Sequence, residues 1–246
     1  MKNSLVKLSR YFFVALLLFQ TSILSAQKLE IQINDELQEY TNHLVENMDK
    51  IPEQRKAMLS EISKSMSSDY LENNNGKVLF VCTHNSRRSQ IAQVWFQYGT
   101  LYFGIQHFEA YSGGIEETAF NERAVKALER AGFTSHYNNK SENPLVSLTP
   151  KSYPVWDYKS KIYTNSANPK NNFTAIMVCS NADKSCPIVE GATDRFSLPY
   201  DDPRYYDGTP SEEKMYDATV EEIGLEMFYL VSQIKDELIY KIEATK

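Results

Sequence analysis

The chain is short of cysteine. Its 246 residues hold three, Cys82, Cys179 and Cys186. That number allows one disulfide at most and leaves at least one thiol over. Histidine is nearly as scarce, with four copies. His43, His107 and His136 stand at no spacing that a metal ion would use, so neither a metal nor a cofactor is expected. An excess of positive charge is also missing. Twenty-six Lys and Arg face 32 Asp and Glu, a formal net charge of −6, which argues against nucleic-acid binding through the overall field. No internal repeat recurs. The most prominent apolar run, "YFFVALLLF" at Tyr11–Phe19, falls short of the ~20 residues that a membrane-spanning helix needs.

That run has a setting of its own. Lys2, Lys7 and Arg10 precede or open it, no acid occurs before residue 27, and "TSILSAQ" follows. Basic start, apolar core and small-residue end make a secretory signal pattern. Cleavage is expected after Ala26, leaving an exported protein, periplasmic or secreted, with no stable membrane span. Removing residues 1–26 takes away three positive charges and moves the net charge from −6 to −9. An uncleaved anchor is the alternative. Exported proteins usually pair their cysteines, so a leftover thiol here is a candidate for reactivity.

Residues 27–75 read as a helical extension. Leu37, Tyr40, Leu44 and Met48 recur at helical spacing, and Pro52 suits a first turn. Met58, Ile62 and Met66 mark one face of a second helix. "ENNNG" then reads as a turn or short linker.

Residues 76–246 change character. "KVLFV" suits a buried parallel strand. "SQIAQVWFQYG" follows as a helix with Ile91, Val94, Trp95 and Tyr98 on one side. "FEAYSGG" and "FTAIMVC" read as further strands, and "RFSLPY" as a fourth. "NERAVKALERAG" is a helix capped by Asn121 and stopped by Gly132. A long helix closes the chain, with Tyr216, Val220, Ile223, Met227, Leu230, Ile234 and Leu238 in register. Alternating strands and helices predict an α/β domain with a parallel sheet covered on both faces. Residues 137–171, polar and rich in Asn and Tyr, read as a surface excursion. "NNFT" at 171–174 is a glycosylation pattern.

Chemistry concentrates after the first strand, in "VLFVCTHNSRRSQIAQ". Ligands of such sheets sit beyond the carboxyl ends of the strands, and Cys82 lies at one. The loop runs into a helix whose first N–H groups can face an anion. Arg88, six residues after Cys82, can return over the sulfur, and a planar guanidinium fits two oxygens of a tetrahedral anion. A helix N-terminus and nearby cations also favour a thiolate over the ordinary thiol. A thiolate that attacks a bound phosphate monoester gives a cysteinyl-phosphate. A buried structural cysteine beside a solvated basic turn is the plainer alternative.

This loop resembles the phosphate-binding loop of the low-molecular-weight protein tyrosine phosphatases and of the related thioredoxin-coupled arsenate reductases. Their signature is cysteine, five residues, arginine and serine after the first strand. The resemblance runs from about Lys77 to the final helix and implies a small three-layer domain with a four-stranded parallel sheet, preceded here by the helical extension. It implies Cys82 as nucleophile, Arg88 as oxyanion clamp, Ser89 as stabiliser of the thiolate and Asn85 as a brace. Thr83, His84, Ser86 and Arg87 would offer backbone N–H groups to the substrate. Two positions depart from the family pattern. His84 replaces a usual glycine, and Arg87 stands where many members have a second cysteine.

Attack also needs a proton for the leaving oxygen. The family supplies it from an aspartate before a late proline. "LPYDDPRYYDG" makes Asp202 the candidate, with Asp201 second. Tyr205 and Tyr206 resemble the aromatic pair beside aryl substrates, displaced one place by Arg204. In "MVCSNADKSCPI", Cys179 and Cys186 match the redox pair of the arsenate reductases. In that mechanism Cys82 attacks arsenate, one cysteine of the pair attacks Cys82, and the other resolves the disulfide. A plain structural disulfide between Cys179 and Cys186 is the competing account in an oxidising compartment.

Three functions therefore stand as expectations: a cysteine-dependent phosphatase, an arsenate reductase served by a thioredoxin-like reductant, and an oxyanion-binding module without turnover. The implied partners are a phosphorylated substrate or a phosphate or arsenate oxyanion.

Overall fold

The computed structural model describes residues 33–151, 154–185 and 188–244. The signal segment and Cys186 lie outside them. The described chain opens with helix α1 (Asp35–Glu46), a 3₁₀ turn at Met48–Lys50 and helix α2 (Glu53–Asn73). Strand β1 (Gly76–Cys82) leads through a loop to α3 (Arg88–Phe103), then β2 (Phe108–Gly114) and α4 (Glu122–Arg130). Three short strands follow, β3 (Thr134–Tyr137), β4 (Val146–Thr149) and β5 (Trp156–Tyr158). Then come β6 (Phe173–Met177), α5 (Ser180–Ser185), β7 (Ala192–Ser197), a 3₁₀ turn at Pro203–Tyr206 and α6 (Glu212–Ala244).

Four strands form one parallel sheet in the order β2-β1-β6-β7. Strands β1 and β6 sit inside it, which explains their largely apolar sequences: both faces of each are covered. Only Lys77 is less than buried in β1, and every residue of β6 is buried. The register pairs Cys82 with Gly114 and Val81 with Met177. Three strands thus end at one level, and the residues just past them share one edge. The strand expected to run to Cys179 ends at Met177, although the Val178 N–H still donates to the Val81 carbonyl.

The excursion expected at 137–171 is corrected by the structure. Strands β3, β4 and β5 pair antiparallel in a second sheet, with Val146, Leu148 and Tyr158 buried. Strands of three or four residues show too few alternations for their period to be read. This sheet also delivers Ser160 and Lys161 to the loop after β1.

The N-terminal helices share a core with the rest. Leu37 and Leu44 of α1 and Leu59, Ile62 and Met66 of α2 are buried. Tyr40 stacks on Trp95 of α3 at 5.6 Å between ring centroids, and Thr41 Oγ1 lies 3.1 Å from Tyr98 Oη. Asn121 caps α4 by accepting the Arg123 N–H at 3.0 Å, and Gly132 follows the helix at φ +104°. A Cβ on Gly132 would lie 2.3 Å from the Leu37 nitrogen, so only glycine lets α1 approach this turn. Helix α6 packs along α1, α2, α3 and α4. Among the described residues, no helix is long and apolar enough to cross a membrane.

Candidate active site

Residues 83–87 leave β1 and return into α3, and the surrounding structure takes their carbonyls from outside. The Cys82 carbonyl accepts from the Ile115 N–H at 3.2 Å and that of Thr83 from the Glu116 N–H at 2.8 Å. The His84 carbonyl accepts from the Thr118 and Ser160 hydroxyls, each at 3.0 Å. The Asn85 carbonyl accepts from Gln90 Nε2, that of Ser86 from the Asn121 N–H, and that of Arg87 from the Ile91 N–H. Among the described residues, no backbone N–H of 83–87 donates to a protein group. Carbonyls out and N–H groups free is the polarity of an anion cradle.

Asn85 holds this shape. It is fully buried at φ +46°, in the left-handed region that asparagine tolerates. Its Oδ1 accepts from the Lys161 N–H at 2.9 Å, and its Nδ2 donates to Ser89 Oγ at 2.9 Å. Ser89 Oγ in turn lies 3.1 Å from Cys82 Sγ. Gly114 makes room beside it, since a Cβ there would stand 2.7 Å from the Asn85 nitrogen and 2.4 Å from the Glu116 carbonyl oxygen.

Cys82 is only 3% exposed. It forms the floor of a small bowl lined by His84, Ser86, Arg87, Arg88 and Asp202. The Arg88 guanidinium folds over this bowl. Its Nη1 donates to the Tyr200 carbonyl at 2.9 Å and its Nη2 to Asp202 Oδ2 at 2.5 Å. Its buried Nε has no hydrogen-bond partner. Asp202 Oδ1 accepts from the Arg204 N–H at 3.1 Å, so the carboxylate is fixed at both oxygens. Asp202 is 8% exposed, whereas Asp201 is exposed. Of the two acids, Asp202 alone lines the bowl, and both line the larger cleft outside it.

The bowl opens into that cleft of about 490 Å³, which Thr83, His84, Cys179, Arg204 and Tyr205 also line. Tyr205 is well exposed there. His84 turns its Nε2 to 3.6 Å from Glu116 Oε2. The Arg87 side chain leads elsewhere: its Nε donates to Tyr216 Oη at 2.7 Å and its Nη2 lies 3.4 Å from Asp207 Oδ2. Tyr216 donates to Asp207 Oδ1 at 2.8 Å, and burial above all pushes its phenol up to about 12. Asp207 thereby balances the charge that Arg87 brings to the rim.

Cys179 is a buried free thiol at the cleft wall. Its Sγ lies 3.5 Å from Thr83 Oγ1 and accepts from the Ala182 N–H at 3.3 Å. The structure thus brings Cys82, Thr83, His84, Asn85, Ser86, Arg87, Arg88, Ser89, Cys179 and Asp202 to one end of the sheet. Cys186 lies outside the described residues. His43 and His107 join no cluster; among the described residues no three His, Cys, Asp or Glu side chains gather as a metal site would require.

Sequence reasoning missed the supports. Tyr200 offers its carbonyl to Arg88, and Ser160, Lys161 and Thr118 hold the loop from outside. The glycine pair ending "FEAYSGG", read only as the end of a strand, was the one local trace of the close approach. The others act from distant positions that leave no local pattern.

A cysteine in an amide cradle under an arginine, at the carboxyl edge of a parallel sheet, defines a cysteine-loop phosphatase type of α/β protein. Residues 77–147 match the family model of low molecular weight phosphotyrosine protein phosphatase. Over that segment the chain is similar to this family, and the matches support a phosphatase-like enzyme. Among curated relatives, an arsenate reductase of Staphylococcus epidermidis is 28% identical over 128 residues, 51% of this chain and 77% of the relative. An arsenate reductase of Bacillus subtilis is 28% identical over 151 residues, 61% and 91% of the two chains. The YwlE arginine phosphatase of Geobacillus stearothermophilus is a solved structure with TM-score 0.46 and 16% identity, covering 67% of this chain and 96% of that one. A low molecular weight protein tyrosine phosphatase from T. tengcongensis has TM-score 0.43 and 22% identity, covering 68% and 99%.

Proposed function

We propose that the protein hydrolyses phosphate monoesters through a cysteinyl-phosphate on Cys82. The outward carbonyls and free N–H groups of residues 83–87 carry this reading. The N-terminus of α3 adds its partial positive charge to the same point. An entering phosphoryl group gains the five N–H groups and the unpartnered Arg88 Nε. Cys82 Sγ attacks phosphorus, the S–P bond forms and the P–O bond to the leaving group breaks. Asp202 passes a proton to that oxygen. Water then attacks phosphorus, Asp202 takes its proton, the S–P bond breaks, and phosphate leaves as the Cys82 thiolate is restored. The pairing of Arg88 Nη2 with Asp202 Oδ2 holds the acid beside the site. The test is hydrolysis of an aryl phosphate, expected to vanish in Cys82→Ser and to persist in Cys179→Ser. Equal activity in Cys82→Ser would refute it.

One observation favours a second reading, arsenate reduction. Cys179 lines the same cleft as the loop, and the curated relatives above are named arsenate reductases. Cys82 would attack arsenate, Cys179 would displace arsenite by forming a disulfide with Cys82, and Cys186 would resolve it. A thioredoxin-like dithiol would return the two electrons. Arsenate-dependent oxidation of a thiol donor, lost when any one of the three cysteines is replaced, supports this reading. Its survival in Cys179→Ser excludes it.

We also propose export, on the basic and apolar order of residues 1–26. N-terminal sequencing of the mature protein is expected to begin at Gln27. A retained Met1 speaks against it.

A further inference from the structure

We propose that Arg55 of α2, upstream of the family-matched segment, is a positioning residue that sets the loop carrying Asp202 over the Cys82 bowl. The inference rests on the phosphatase reading and assigns it a residue that the family pattern does not contain.

Arg55 reaches across the molecule. Its Nε and Nη2 donate to the two carboxylate oxygens of Glu226 on α6, at 2.7 and 2.5 Å. Its Nη1 donates to the Pro199 carbonyl at 3.3 Å, and the guanidinium lies 5.0 Å from the centre of the Tyr200 ring. Tyr200 Oη donates to Glu226 Oε2 at 2.7 Å. Three side chains from α2, α6 and the loop after β7 thus lock one another. The pair is largely withdrawn from water, with Arg55 19% and Glu226 5% exposed. Such a pair is weak as a source of stability but well suited to fixing one arrangement. Burial, then Glu226, holds the Tyr200 phenol well above its ordinary range, so it remains a donor.

What the lock fixes is the backbone at 199 and 200. The Tyr200 carbonyl is the acceptor of Arg88 Nη1, and Asp202 follows two residues later. Arg55 therefore holds the stretch that places the acid, while Arg88 keeps its own bond to Asp202. The bidentate fork is specific to arginine; lysine keeps the charge but cannot hold both Glu226 oxygens and the Pro199 carbonyl in one plane.

The readout is the leaving group. An ester with a basic leaving oxygen needs the proton of Asp202, and a dinitrophenyl ester does not. We would measure kcat/KM on phenyl phosphate and on 2,4-dinitrophenyl phosphate for wild type, Arg55→Met, Arg55→Lys and Tyr200→Phe, with thermal melts alongside. Arg55→Met is expected to lose about 10-fold or more on the phenyl ester and less than about 3-fold on the dinitrophenyl ester. Arg55→Lys is expected to recover part of that difference. Tyr200→Phe keeps the ring and carbonyl and removes only the Glu226 bond, so it shows the same selective loss, in smaller measure, even if Arg55→Met fails to fold. Loss equal on both esters, or none, in the folded variants overturns the positioning role and leaves the phosphatase intact. A wild type inert on both esters overturns the phosphatase reading and this inference with it.

Discussion

At the scale of single residues, the site depends on short, nearly fixed distances. Asn85 holds two bonds from a left-handed backbone. Replacing it by alanine removes both bonds and strains φ. We expect Asn85→Ala to lower stability by at least about 2 kcal/mol and to abolish most activity. Asn85→Gly keeps the backbone free and loses only the bonds, so a milder loss in denaturant titration separates the two causes. A glycine as damaging as alanine would remove strain from the account. Asp202→Asn keeps the shape and cannot give a proton; kcat/KM on phenyl phosphate is expected to fall by about 10²–10⁴-fold. An unchanged rate would pass the acid role to Asp201. The residues of this loop were legible because Cys82 to Ser89 are contiguous and their types serve one chemistry. Arg87 was legible only as a charge, since its partners Asp207 and Tyr216 lie more than a hundred residues on.

At the scale of elements, the central strands were legible and the second sheet was not. Covered parallel strands are continuous apolar words, whereas β4 buries two residues, β5 one and β3 none, all within a polar stretch. The helices showed their apolar faces, but spacing names a face and not its partner, so the joint between α2 and α6 was invisible. That joint carries a titration. Glu222 is exposed at its surface, and partial desolvation at its base, then Glu226, raises its carboxyl above the ordinary 4.5, with Arg55 pulling the other way. The folded chain therefore holds a proton that the unfolded chain has already lost, and stability falls as pH rises from about 4.5 through the raised value. Glu222→Gln removes that loss. Its melting temperature is expected to exceed wild type near pH 7, with the gain shrinking toward zero below the ordinary value. A gain that grows in acid would reverse the sign of this argument.

At the scale of the whole molecule, the extension is part of the folding unit. Leu37, Leu44, Leu59, Ile62 and Met66 are buried by it. At ~1.5–3 kcal/mol each, their burial contributes on the order of 10 kcal/mol, comparable to the whole stability of a typical domain. A chain beginning at Gly76 would lose those contacts and expose the surfaces of α3 and α6 that they cover. Its circular dichroism melt is expected to show no cooperative transition. A sharp melt near that of the full chain would return α1 and α2 to the status of an appendage.

The most direct measurement is to stop Asp202→Asn in mid-turnover with an aryl phosphate and map the modified peptide by mass spectrometry. Slow release should leave one phosphoryl group on the peptide bearing Cys82, with none on those bearing the other two cysteines. A phosphoryl group on another side chain, or turnover that continues when residue 82 has no thiol, contradicts the cradle as the seat of the chemistry.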